Sequence, residues 1–225
     1  MRPNLTYFTL IISLLGNAYA LETHFKLQQG DLLFQDLNCG VFCDSIDSVT
    51  YGYKNTYMSH VAMVINVESA EPQLIQAVSS GVAITPLAPF LAASRDNNGN
   101  PRVIVGRLQQ PYQKLIPNAI SYTLQQVGKP YNASFIPALG NSFYCSELIA
   151  EAFKYANNGT ALFHTHPMNF MDKNHQRFLP LWEDYYHQLQ ITTPQGVAGT
   201  NPGAMSQESI LDIVYYYGQL RQHQD

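Results

Sequence analysis

Three residues of this 225-residue chain have the types that a thiol-dependent hydrolysis needs. Cys145 stands in "NSFYCSELIAEAF" (141–153), between an aromatic run and what reads as the first turn of a helix. A helix N-terminus favours negative charge, and so a thiolate. A cysteine nucleophile also needs a base for its proton, and that base needs a third group to hold its tautomer. His60 opens the apolar run "HVAMVINV" (60–67), which reads as a buried strand able to hold an imidazole rigidly. Gln76 is a polar residue inside "LIQAV" (74–78), a strand expected to pair back on the first. Its amide can accept an imidazole N–H without adding charge. Each residue also has a plain reading. Free cysteines are among the most buried residue types, a histidine at a strand start is usually structural or exposed, and a strand glutamine usually lies at an edge. Types and spacing leave both readings open.

The other reactive side chains point to less. Cys39 and Cys43 are four apart in "NCGVFCD". An oxidising compartment allows them to pair, although two free thiols remain an alternative. Either way Cys145 is left without a cysteine partner. As metal ligands the pair lacks a second ligand pair at zinc spacing. "HTHP" (164–167) with His175 invites a metal, but no helical i, i+4 histidine pair or nearby acidic motif supports one, and loop histidines are the default. No metal and no cofactor is expected. Asn132-Ala133-Ser134 and Asn158-Gly159-Thr160 match the glycosylation acceptor pattern, which matters only in a eukaryotic secretory pathway.

These groups must be positioned by a chain of one-domain length. Apolar residues make up 46 %, enough for a sizeable core, and charged residues only 12 %. The formal net charge of −4 argues against a nucleic-acid partner, which needs a basic stripe to neutralise phosphates. The first twenty residues differ from the rest. Arg2, an apolar stretch from Tyr7 to Leu15 and Ala18-Tyr19-Ala20 read as a secretory signal peptide cleaved after Ala20. Its removal takes Arg2 away and leaves a net charge of −5. No second apolar run is long enough for a membrane span, so an exported, periplasmic or extracellular protein is expected.

Residues 21–225 then read as a single domain. "GDLLFQDL" (30–37) is a strand leaving a turn, and 38–58 reads as a polar, aromatic loop. Strands follow at 60–67, 74–78 and 81–87, a short helix at 87–94 and another strand at 102–108. Ile116, Ala119, Ile120, Leu124 and Val127 have helical spacing, with Gly128 as the C-cap. "YCSELIAEAFKYA" is the next helix, with Leu148, Ala152 and Tyr155 on one face and Ile149 and Phe153 alongside. Residues 159–205 form a loop-rich excursion with one helix near "LWEDYYHQL", and "ESILDIVYYYG" is a helix or a strand. The "YYY" at 215–217 is expected to fill the core. Adjacent strands flanked by helices favour an α+β domain over a doubly wound one.

The order "QQGDLLF", "SHVAMVI", "LIQAVSSGVAITPL", "VGKPYN", "YCSELI" over residues 28–156 resembles the permuted papain-like amidases of the YaeF/YiiX type, a circularly permuted branch of the NlpC superfamily of cysteine hydrolases. "WEDYYHQL" and "GTNPGAMSQESI" resemble the family's C-terminal part. The resemblance implies an antiparallel sheet packed against helices, with the nucleophile at a helix N-terminus and the histidine before the cysteine in the chain. It implies a thiolate–imidazolium pair of Cys145 and His60. The third member, often a glutamate, falls on Gln76, which orients without charge. The aromatic residues before Cys145, Tyr144 among them, would shape the cleft floor. The N–H groups of Cys145 and Ser146 would serve an oxyanion hole, and Tyr131 would lie near the cleft.

The function expected is that of a secreted cysteine hydrolase cleaving an amide, either a cell-wall peptide or an N-acyl amino acid, through Cys145, His60 and Gln76. The partners expected are a small peptide, acyl-amide or lipid-like substrate. A thiol-dependent lipid hydrolase or acyltransferase is the enzymatic rival, and a catalytically degenerate secreted binding module the non-enzymatic one.

Overall fold

The chain enters its sheet through a turn that only glycine suits. A computed structural model of the chain describes residues 25–138, 140–172 and 177–223. The expected leader and His175 lie outside them. Gly30 sits at φ 83°, and a Cβ there would lie 2.6 Å from the Ile116 side chain. Asp31 follows, fully buried, and takes a two-pronged hydrogen bond from Arg107 at 2.7 and 2.8 Å. This pair seats β1, Leu32–Gln35, at the centre of the sheet.

Strands β2 (His60–Asn66), β3 (Gln73–Val78) and β4 (Gly81–Pro86) form a meander on one side of β1. On the other side lie β5 (Val103–Leu108) and β8 (Leu211–Tyr216). The sheet runs β4-β3-β2-β1-β5-β8, antiparallel throughout. The C-terminal segment that read as helix or strand is therefore its last strand. Tyr215 fills the core as expected, stacked on Phe25 at 4.2 Å, while Tyr216 is exposed.

Both faces of the sheet are covered. Val61, Met63, Ile65, Ile75 and Ile104 pack under α5 (Cys145–Ala156), with Leu148, Ile149, Ala152 and Phe153 pointing down at them. Tyr155, placed on that face by its spacing, is exposed instead. It leans on Tyr122, its ring centroid 5.0 Å away, in α4 (Ile116–Leu124). Leu33, Ala62, Val64, Leu74 and Val105 form the second core, closed by Phe90 of α2 (Leu87–Ala92). The short α3 (Gln110–Gln113) links β5 to α4.

Residues 38–58 are not a loop throughout. Val41–Val49 form α1, behind a Cys39–Cys43 disulfide with Cα atoms 5.3 Å apart. Phe42, Ile46 and Val49 are spaced four and three apart, a helical stripe interrupted to the eye by Asp44, Ser45 and Asp47. Closing this short loop contributes about 2 kcal/mol on the chain-entropy account. The excursion carries a small ribbon of β6 (His166–Pro167) and β7 (Ala198–Gly199), then α7 (Pro202–Ser206). Between the ribbon strands lies the expected helix, α6 (Pro180–Gln188). Phe170, Trp182 and Tyr186 form a third, separate cluster, against which Phe42, Ile46, Phe135, Met168 and Tyr185 pack.

Candidate active site

Cys145 is the first residue of α5 because the chain before it is extended and then capped. Tyr144 has ψ 170°, and its N–H donates to the Glu147 carboxylate at 3.2 Å. Glu147 also accepts from Asn132 Nδ2 at 3.0 Å and from the Ala138 N–H at 3.1 Å, so one buried carboxylate ties the 132–138 loop to the helix start. Burial pushes Glu147 up, and these three donors pull it back. Asn132 is itself buried and gives its other amide hydrogen to Ile136 O, so the acceptor pattern at 132 is shut inside the fold.

The thiol meets the sheet where the sheet opens. The β2–β3 ladder runs from Asn66–Gln73 to Met63–Ile75 and stops short of His60 and Gln76. The backbone N–H groups of Val61, Ser146 and Cys145 favour the Cys145 thiolate there. Burial nevertheless dominates and pushes the Cys145 thiol up to about 11.

His60 Nε2 lies 2.6 Å from Gln76 Oε1, both residues buried. The amide oxygen accepts, so Nε2 carries the proton and Nδ1 keeps the lone pair. Gln76 is turned by a second bond, its Nε2 donating to Thr85 Oγ1 at 2.9 Å. The imidazole ring faces Phe90 with centroids 6.0 Å apart. Burial lowers the His60 pKa below 6.5, more than the Gln76 bond raises it. Burial therefore disfavours the charged form of both groups.

The structure thus joins His60 to Gln76 directly and sets Cys145 on the backbone one residue away. Among the described residues His60 and Cys145 form no hydrogen bond with each other. Val61 packs on the α5 side with Cys145, whereas His60 points to the Phe90 side. His60 and Gln76 are not among the residues that line the cavity at Cys145.

A cavity of about 110 Å³ lies against the thiol. Tyr131, Tyr144 and Ser146 line it. Tyr144 Oη accepts the Thr200 N–H at 3.1 Å, and Thr200 Oγ1 donates to Ser146 Oγ at 3.0 Å. Burial and the neighbouring thiol push Tyr131 up, and burial pushes Tyr144 up to about 12, so both phenols are protonated donors at neutral pH. The remaining walls escaped sequence reasoning. Their apolar part is Ile46 and Val49 of α1, Phe135, Met168, Phe170 and Trp182, and Thr50, Ser59, Asn169 and Asn201 are polar groups beside it. The helical stripe 42–46–49 was the one available signal for α1; the excursion residues carry none, because they reach the cavity only through the third cluster.

The polar side of α1 is held from below. Arg221 donates to Asp36 at 2.5 Å, to Asp47 at 3.0 Å and to Asp44 at 3.3 Å. Burial first, and the nearby Asp36 second, raise Asp47 to about 7.

His164 is exposed and binds Glu208 at 2.9 Å. Among the described residues no group of three or more His, Cys, Asp or Glu is placed to hold a metal ion. No helix there is long and apolar enough to cross a membrane.

Comparison with known proteins bears on the same elements. The crystal structure described as metalloprotein YiiX from Escherichia coli has a similar fold. It is 22 % identical, with a TM-score of 0.66, over 85 % of this chain and 98 % of that one. That description calls YiiX a metalloprotein; the described residues of this chain include no cluster of His, Cys, Asp or Glu that would hold a metal ion. No curated protein is similar enough to match the chain. The family described as permuted papain-like amidase enzymes, YaeF/YiiX, matches residues 26–215, which span β1 to β8, with His60, Gln76 and Cys145 inside the match. An antiparallel sheet, a cysteine at the start of its covering helix and a match over most of the chain lead to one conclusion: the chain belongs to the permuted papain-like amidases, a family of cysteine hydrolases.

Proposed function

We propose that this cysteine hydrolase is an exported amidase whose reaction runs through Cys145, His60 and Gln76, on an amide with an apolar acyl group. The observation that carries the triad is the buried 2.6 Å bond from His60 Nε2 to Gln76 Oε1. It leaves Nδ1 as the nitrogen that takes the thiol proton. Catalytic hydrogen bonds are often long in the free enzyme and tighten with substrate bound. Sγ attacks the acyl carbon as its proton passes to Nδ1. The charge developing on oxygen meets donors that line the cavity: the N–H groups at the α5 start and the Tyr131 hydroxyl. The imidazolium returns its proton to the departing amine. Water, deprotonated by the same nitrogen, then frees the acid.

The acyl preference rests on the cavity walls. Ile46, Val49, Phe135, Met168, Phe170 and Trp182 offer an apolar surface and no charged group. This supports an N-acyl amino acid over a cell-wall peptide. It equally favours the second enzymatic reading, a lipid hydrolase or acyltransferase, which differs in passing the acyl group from an ester or to an amine.

Alkylation of Cys145 by iodoacetamide against pH tests the pair without any substrate. The wild-type rate is expected to climb toward pH 11 as the thiol ionises. At pH 7 His60→Ala is expected to react at least ~10-fold more slowly, since a positioned base is lost. Equal rates in the two proteins would mean an inert thiol, and the binding-module reading would replace the enzyme.

A further inference from the structure

We propose that Asn201 is a specificity-determining residue whose side-chain NH₂ holds a carbonyl oxygen on the leaving-amine side of the substrate; the inference rests on reading the cavity at Cys145 as the substrate site. Thr200 brings the chain there. Its N–H donates to Tyr144 Oη at 3.1 Å and its Oγ1 lies 3.0 Å from Ser146 Oγ, so it is bonded to the residues on both sides of Cys145. Asn201 follows it and lines the same cavity. Asn201 Oδ1 accepts the Ala204 N–H at 2.7 Å, capping α7. A backbone N–H can only donate, so the amide has one orientation and its NH₂ is the other end. α7 is itself anchored, by the Tyr53 N–H on Ser206 Oγ at 2.9 Å and by Gln207 Nε2 on Tyr51 O at 2.7 Å.

That NH₂ has no hydrogen-bond partner among the described residues. The polar side chains near it in the wall are engaged. Thr50 Oγ1 donates to Ile46 O at 2.8 Å, and Ser59 Oγ accepts the Leu37 N–H at 3.1 Å. Asn169 Oδ1 accepts the Met171 N–H at 3.2 Å, and its Nδ2 donates to Met171 O at 3.3 Å. The Trp182 indole N–H is also unpaired, but it is sealed from water, whereas Asn201 is half-buried and within a ligand's reach. The apolar walls take the acyl group, so the polar stretch of Ser146, Thr200 and Asn201 is left for the group beyond the scissile bond. An NH₂ there pairs with an acceptor. Every α-amino acid carries one next to its nitrogen-bearing carbon, as a carboxylate at a free end or as a carboxamide within a peptide. An amine without such an oxygen leaves the donor unpaired, and a site built around a hydrogen bond rejects the analogue that lacks it.

The test measures binding by titration calorimetry on Cys145→Ala, which lacks the nucleophile, so that the result does not depend on turnover. Three ligands are compared: N-dodecanoylglycine, N-dodecanoylglycinamide, and N-dodecanoyl isobutylamine, in which two methyl groups replace the terminal polar atoms. The readout is the affinity of each oxygen-bearing ligand relative to the isobutylamine, which cancels the contribution of the acyl chain. Adding Asn201→Ser keeps an oxygen for the α7 cap and removes the NH₂. It is expected to lower that relative affinity about 5-fold, the size of one hydrogen bond, with the isobutylamine affinity and the melting midpoint unchanged. Asn201→Asp, which keeps the length as well as the cap, repeats the loss on N-dodecanoylglycine should serine lower the melting midpoint. A fall with only one oxygen-bearing ligand supports the role and names its source, carboxylate or carboxamide. An unchanged relative affinity, an equal loss for all three ligands, or no binding of either oxygen-bearing ligand to Cys145→Ala would overturn the role of Asn201. Binding as expected, with no amine released from these ligands by the wild type, would instead overturn the triad and leave Asn201 standing.

Discussion

Cys145→Ala is expected to lower kcat/KM for an N-dodecanoyl amino acid by at least ~10⁴-fold, the scale on which a covalent nucleophile matters. His60→Ala should fall about as far. The double variant should fall no further than either single one, because two members of one proton path act as a unit. Amine release from the substrate is the readout. Losses that multiply in the double variant would show that the residues work independently and would sink the pair. The pH profile adds a sign. Burial lowers the His60 pKa, so the neutral base persists below pH 6.5 and the acid limb of kcat/KM lies below that value. Activity is lost as pH falls through the lowered pKa. Gln76→Glu would set a negative charge against Nε2, favour the imidazolium and move that limb upward.

Arg221→Ala is expected to be the most destabilising single change away from the cores. It strands two carboxylates whose side chains are 0 % and 2 % exposed, Asp36 and Asp47. Asp36 would keep the backbone N–H of residue 221, at 3.2 Å, and Arg102, at 4.0 Å. Removing one partner of a buried ion pair costs about 3–5 kcal/mol, which for a chain of this size lowers the melting midpoint by roughly 10 °C. Asp47→Asn should act in the opposite sense. Asp47 titrates near 7 in the fold against 3.8 unfolded, so its ionised form is disfavoured by folding. That penalty is fully present above pH 7 and is relieved as pH falls toward 3.8. The asparagine variant should therefore melt higher than wild type at pH 8 and gain nothing near pH 4. A gain that is the same at both pH values would mean that Asp47 is not the titrating group.

Much of this arrangement was legible because it is local. The glycine turn at Gly30, the apolar run of β2 and the capped start of α5 each announce themselves within a few residues. Gln76 was legible too, since an amide in an apolar strand demands a partner. α1 was not, because four polar residues and a cysteine pair masked the stripe of Phe42, Ile46 and Val49. The last strand was ambiguous because "LDIVYY" is apolar at both helical and strand periods. The burial of the Cys145 thiol was illegible in principle. A helix N-terminus is visible in a sequence, but the depth at which the thiol lies is a property of α5 against the open end of the β2–β3 ladder. The cavity walls were hidden for the same reason, being drawn from Ile46, Phe135, Phe170 and Trp182 across most of the chain.

Those walls rest on an aromatic cluster of their own, apart from the two cores that hold the sheet and α5. Changes at Ile46, Met168 or Phe170, natural or made in the laboratory, therefore alter the lining of the cavity without touching the two cores that hold the sheet and α5. The fold thus separates a lining that can vary from the framework that carries it.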